Sequence, residues 1–101
     1  MRREGLEKLW DAFERLKTVT TGKEKKAQVT ALIESAYTDA DARTRFNTEF
    51  GELTSIGNTY NIRHFETNKL PIPDDSFVDW LFPRCYSAIH AILDKTGRVK
   101  H

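Results

Sequence analysis

Arg63, His64 and Glu66 bring a guanidinium, an imidazole and a carboxylate together in the stretch Asn61-Ile62-Arg63-His64-Phe65-Glu66-Thr67-Asn68-Lys69. An arginine can grip a phosphate through two parallel N–H···O bonds, and a histidine exchanges a proton near neutral pH. Glu66 can orient the imidazole or pair with Arg63 instead. Acid–base work on a phosphate ester therefore makes Arg63, His64 and Glu66 the candidate catalytic residues. The bland alternative is an ion-pair cluster that stitches the end of one helix to the start of the next. The residue types alone leave both readings open.

A second arginine and histidine, Arg84 and His90, lie six positions apart. On a continuous helix that spacing turns the two side chains about 120° away from each other. His90 is flanked by Ile89, Ala91 and Ile92, so it reads as a partly buried structural histidine. Cys85 falls inside the same apolar pattern and reads as packing rather than as a nucleophile. No phosphate loop, zinc-type His/Cys spacing or serine elbow is present. His64 and Glu66 are two residues apart, a poor spacing for two metal ligands on one helical face. Neither a metal nor a cofactor is expected.

The elements that must hold these groups are helical. Leu6, Leu9, Trp10, Phe13 and Leu16 recur at helical spacing, with Glu4, Glu7, Lys8, Asp11, Glu14, Arg15 and Lys17 assigned to the other faces. Thr21 and Glu24 fit a capping box, and the helix they open carries Val29, Leu32, Ile33, Ala36 and Tyr37 on one side. Lys23, Lys25 and Lys26 crowd its first turn as solvated charge. Asp39 or Asp41 can cap a third helix bearing Phe46, Phe50, Leu53, Ile56 or Gly57, and Tyr60. Gly51 and Gly57 inside it are explained by close approach of a neighbouring helix, or by a bend that aims the residues beyond. Pro71 and Pro73 enforce an extended link. Asp74, Asp75 or Ser76 then caps a last helix, whose wide apolar face suits the centre of a bundle, with a kink near Asp79 induced by Pro83. The spacing predicts helices over 4–18, 22–37, 40–61 and 75–95, and no strand.

The chain has 101 residues, so positions 1–101 are expected to form one domain with a modest core. Its formal charge of +1 gives no global field to draw in nucleic acid, so any such partner needs a local basic patch. A single cysteine excludes an internal disulfide and fits a reducing compartment. The first residues lack the apolar core of a signal peptide, and no run is apolar enough to cross a bilayer. The expectation is a cytoplasmic protein with no membrane partner.

Three segments carry a resemblance: GLEKLWDAFERLKT, ELTSIGNTYNIRHFETNKLPI and FVDWLFPRCYSAIHAILDKTGR. Over Arg3 to Arg98 the chain resembles the C-terminal region of bacterial abortive-infection proteins with a HEPN-like helical domain. The shared pattern falls on Arg63, His64 and Glu66, and on Trp80, Leu81, Phe82 and Arg84. The resemblance implies an all-α, four-helix HEPN-like bundle with a role in phage defence. It implies action on RNA, as a binding domain or a metal-independent endoribonuclease, and a homodimer that brings two arginine–histidine pairs together. In that chemistry histidine helps the ribose 2′-hydroxyl attack the phosphate while arginine stabilises the charge that develops. An antitoxin or other protein partner fits the same setting. The alternative reading is a non-catalytic helical module for dimerisation or protein interaction.

Overall fold

Four stretches of helical apolar spacing become four helices in the computed structural model, which describes residues 2–17, 25–62 and 68–96, with backbone alone at 2 and 25–28. They are α1 (Arg2–Leu16), α2 (Lys25–Ala36), α3 (Ala40–Thr59) and α4 (Asp75–Lys95). Among the described residues the fold is all-α, and the only extended pairing is a single parallel bridge between Tyr60 and Leu70. The Thr21–Glu24 capping box and the Lys23, Lys25 and Lys26 side chains lie outside the described residues.

Both described N-caps are aspartates. The Asp39 carboxylate accepts from the Ala42 N–H at 2.8 Å and starts α3. The Asp74 carboxylate accepts from the Phe77 N–H at 2.9 Å and from the Ser76 hydroxyl at 2.8 Å, and starts α4. Each satisfies a donor that the first helical turn leaves without an intrahelical acceptor. At the other end of α3, Tyr60 turns to extended backbone while its N–H still reaches the Ile56 carbonyl at 2.9 Å. The helix therefore stops short of residue 61. α4 runs on through Pro83, which faces solvent. The carbonyl of Asp79, which a proline nitrogen cannot serve, then lies on the wet side, where the loss is least expensive.

The core forms where α4 packs against all three other helices. Val78, Leu81, Cys85, Ala88, Ile89 and Ile92 make its buried face, against Leu6, Trp10, Phe13 and Leu16 of α1. The rings of Trp10 and Phe13 lie 5.2 Å apart, and Phe13 meets Phe50 of α3 at 5.4 Å. The two glycines of α3 part company here. A Cβ on Gly57 would come within 2.7 Å of the Trp10 indole, so glycine is what lets that indole lie on the helix. A Cβ on Gly51 would meet nothing within 4 Å, so close approach does not explain it.

The Asp74 cap carries a pH signature. Its hydrogen bond from the Phe77 backbone, reinforced by Ser76, holds the carboxyl below its ordinary value of 3.8. A carboxyl depressed on folding adds stability above its unfolded pKa and loses it as pH falls through the folded one. Asp74→Asn retains a capping oxygen but no titration. Thermal melts from neutral pH down to about pH 3 should show a shallower acid decline for the variant than for the wild type.

Candidate functional site

The segment holding Arg63, His64 and Glu66 lies outside the described residues, but its two ends are fixed. The Asn61 N–H donates to the Leu70 carbonyl at 2.8 Å, and the Leu70 N–H donates to the Thr59 carbonyl at 2.9 Å. Ile62 is fully buried. Lys69 Nζ donates to the Gly57 carbonyl at 2.8 Å, a cation on the negative end of α3. From the first turn of α1, the Arg3 guanidinium donates to the carbonyls of Asn61 and Ile62 and to the Asn61 side chain. Two cations and a pair of backbone bonds thus close the base of this junction.

An aromatic run leads away from that base. Tyr60 meets Phe77 at 4.9 Å, Phe77 meets Trp80 at 5.5 Å, and the Arg84 guanidinium lies over the Trp80 ring at 4.6 Å. Arg84 is fully engaged there. It donates to both oxygens of Glu49, at 3.0 and 2.5 Å, and to Glu52 at 3.1 Å. The Glu49 hydrogen bonds raise the guanidinium above its already high ordinary value, against the opposing effect of burial. Two carboxylates neutralise this charge, so a phosphate would have to displace them. Beside the pair, a groove of about 630 Å³ opens between α3 and α4, floored by Phe46, Pro83, Ala88 and Ala91.

His90 corrects the expectation of a partly buried histidine. It is exposed and stacks on Tyr86 at 5.9 Å, as Tyr86 stacks on Phe82 at 6.3 Å. The four-residue spacing continues the ladder outward, away from the apolar neighbours that suggested burial. Arg84 and His90 occupy opposite flanks of the exposed side of α4, and the structure does not bring them together. Cys85 is buried, and burial pushes its thiol up to about 12, which leaves it protonated and unreactive at neutral pH.

Lys17 is the residue that its charge misplaced. Set among the outer faces by its type, it is only 3% exposed. Its ammonium donates to Glu14 at 3.0 Å and to the Thr54 hydroxyl at 3.2 Å, over the Phe13 ring at 4.7 Å. The series 6, 10, 13, 17 steps by four, three and four, so the stripe itself passed through it. The Arg84–Glu49–Glu52 cluster had no such signal, because Arg84 lies more than thirty residues from both carboxylates in sequence. Among the described residues no group of three histidine, cysteine, aspartate or glutamate side chains is placed to hold a metal ion. No described helix is long and apolar enough to cross a membrane.

No family model, no curated protein and no solved structure matches this chain.

The half-buried Arg84–Glu49 fork should matter to stability. A double-mutant cycle with Arg84→Met and Glu49→Gln, read by urea denaturation, is expected to give a coupling of about 1 kcal/mol. Arg84→Lys should recover only part of it, since an ammonium cannot serve both carboxylate oxygens in the fork geometry. Coupling near zero would make the pair ornamental.

Proposed function

We propose that this chain is a helical association module that works as a homodimer through the outer face of α4. One observation carries the reading. From Trp80 to His90 the exposed residues are Trp80, Phe82, Pro83, Tyr86, Ser87 and His90, and the one residue of full charge in that stretch, Arg84, is tied to Glu49 and Glu52. Trp80 is 49% exposed and Tyr86 52%. Aromatic enrichment with depleted charge is the composition of an interface centre. A second copy of the chain is the occupant that fits. Tyr86 stands four residues from both Phe82 and His90, so an antiparallel two-fold axis at Tyr86 sets Phe82 of one copy against His90 of the other. A net charge of only +1 offers little long-range repulsion to such a pair. Resemblance to HEPN-like abortive-infection proteins supplies the setting, phage defence, in which dimerisation is expected. In light scattering at high micromolar concentration the wild type should be a dimer and Tyr86→Glu a monomer with unchanged helical content. A wild type that is monomeric there would refute the reading.

The closed base of the junction favours a second reading, in which Arg63, His64 and Glu66 act on RNA. Arg3, Lys69 and the Tyr60–Leu70 bridge fix both ends of their segment, and a reactive group needs such a fixed frame. In this reading His64 exchanges the proton of the attacking 2′-hydroxyl, Arg63 holds the phosphate and Glu66 orients the imidazole. His64→Ala should abolish metal-independent RNA cleavage with helicity intact, and Arg63→Ala should weaken binding and cleavage together. A wild type that neither binds nor cuts RNA would return the junction to an ion-pair cluster.

A further inference from the structure

Two exposed titratable side chains, Asp79 and His90, flank the aromatic ladder of α4. Asp79 lies seven positions before Tyr86 and His90 four after it. A helix advances about 1.5 Å per residue, so an antiparallel axis at Tyr86 brings Asp79 of one copy within about 4.5 Å of His90 of the other, measured along the helices. Around the helix, Asp79 and His90 lie on one side of Tyr86, by about 20° and 40°, while Leu93 and Phe82 lie on the other side by the same angles. The two-fold rotation that makes the pair antiparallel carries each flank of one helix onto the matching flank of the other. Asp79 and His90 therefore meet along one edge of the contact, Phe82 and the half-buried Leu93 along the other, and Tyr86 meets its own copy between them. A parallel pair would instead set Asp79 on Asp79 and His90 on His90, a juxtaposition of like charges.

Within one copy His90 has no such carboxylate. Its ring stacks on Tyr86, and among the described residues no charged side chain of α1, α2 or α3 forms a hydrogen bond or ion pair with it. On α4 itself, Asp94 stands one turn further on and forms none with it either, and Arg84 is held by Glu49 and Glu52 on the opposite flank. Asp79 also has an interaction within its own chain, and a carboxylate, with two oxygens, can serve two donors at once.

We infer that Asp79 and His90 pair reciprocally across the two-fold axis, set its antiparallel register and make the dimer tighten as the pH falls from about 8 to about 6. The inference rests on the dimer proposed for the outer face of α4. Histidine takes up a proton in this range, and the charge it gains is met by a carboxylate only in the dimer. The proton and the second copy therefore favour each other's binding. The gain is present on the acid side of the histidine range and is lost as rising pH removes the proton. It is lost again below about pH 4, where carboxylates are protonated.

Sedimentation equilibrium on the full chain at about pH 8 and about pH 6, in low salt, measures the dimer dissociation constant. For the wild type that constant should fall about tenfold at the lower pH, with two reciprocal pairs contributing, and high salt should shrink the ratio. His90→Gln and Asp79→Asn should each remain dimeric with a ratio near one. Asp79→Lys should invert the ratio, because it sets an ammonium against a protonated imidazole. His90 is exposed, so His90→Gln keeps the test valid even if a change at Asp79 disturbs folding. A wild type that is monomeric at both pH values refutes the dimer and this pairing with it. A dimer whose constant is the same at both, or whose pH dependence survives His90→Gln, overturns the Asp79–His90 pairing alone and leaves the dimer standing.

Discussion

Trp10 and Phe13 reach from α1 past α4 to α3, and the rest of the molecule is arranged around that reach. α1 lies along α4, yet its aromatic side chains are what tie it to α3, through the Trp10 indole on Gly57 and the Phe13–Phe50 contact. Buried rings of this size bring a large apolar area and a preference for tilted contacts, both of which are seen here. With α1 seated, its two ends are placed. Arg3 arrives at the end of α3 and Lys17 at Thr54 within it. Substituting Gly57 would push the indole off α3 and disturb both ends at once.

The same packing decides what α4 has left to offer. Its inner face is consumed by Val78, Leu81, Cys85, Ala88, Ile89 and Ile92. Trp80, Phe82 and Tyr86 on the other side then have no intramolecular surface to cover them fully, although each is large enough to dominate a core. Single exposed hydrophobes are ordinary; three aromatics on one helix with no free charge among them are not. Arg84 sharpens the contrast. It is the residue a motif search would send to a phosphate, and the fold has given it two carboxylates and a tryptophan face instead. Charge that is already satisfied does not recruit a nucleic acid, which is why association stands ahead of catalysis for this helix.

Periodicity was enough for the four helices because each buries one stripe, and a stripe is a local property of the chain. Asp39 and Asp74 were readable for the same reason, since a cap needs only its own first turn. Part of what failed depends on residues far apart, and part on setting residue type or neighbours above spacing. Gly51 and Gly57 look alike in sequence, and only the position of Trp10 separates them. Lys17 was assigned outward by its charge although the 6, 10, 13, 17 series ran through it, an error of letting residue type outrank spacing. His90 was assigned inward by its neighbours although the Phe82–Tyr86–His90 spacing pointed out, the same error reversed. The junction of Arg63, His64 and Glu66 was legible as a chemical grouping. Its anchoring by Arg3, some sixty residues earlier, was not.

That anchoring gives α1 a position no other helix has. A 15-residue helix is about 22 Å long; its first turn holds Arg3 on the junction, and Lys17, just past its last residue, reaches Thr54 of α3. Arg3 meets the residues that follow α3 and Lys17 meets Thr54 within it, and both are held by the one apolar stripe between them. A change that shifts α1 along α4 would alter the Arg3 bonds to Asn61 and Ile62 and the Lys17 bond to Thr54 together. Cores packed around interlocking rings resist small continuous slides of this kind. The stripe therefore keeps Arg3 at the junction and Lys17 on Thr54 in a fixed relation on one rigid support.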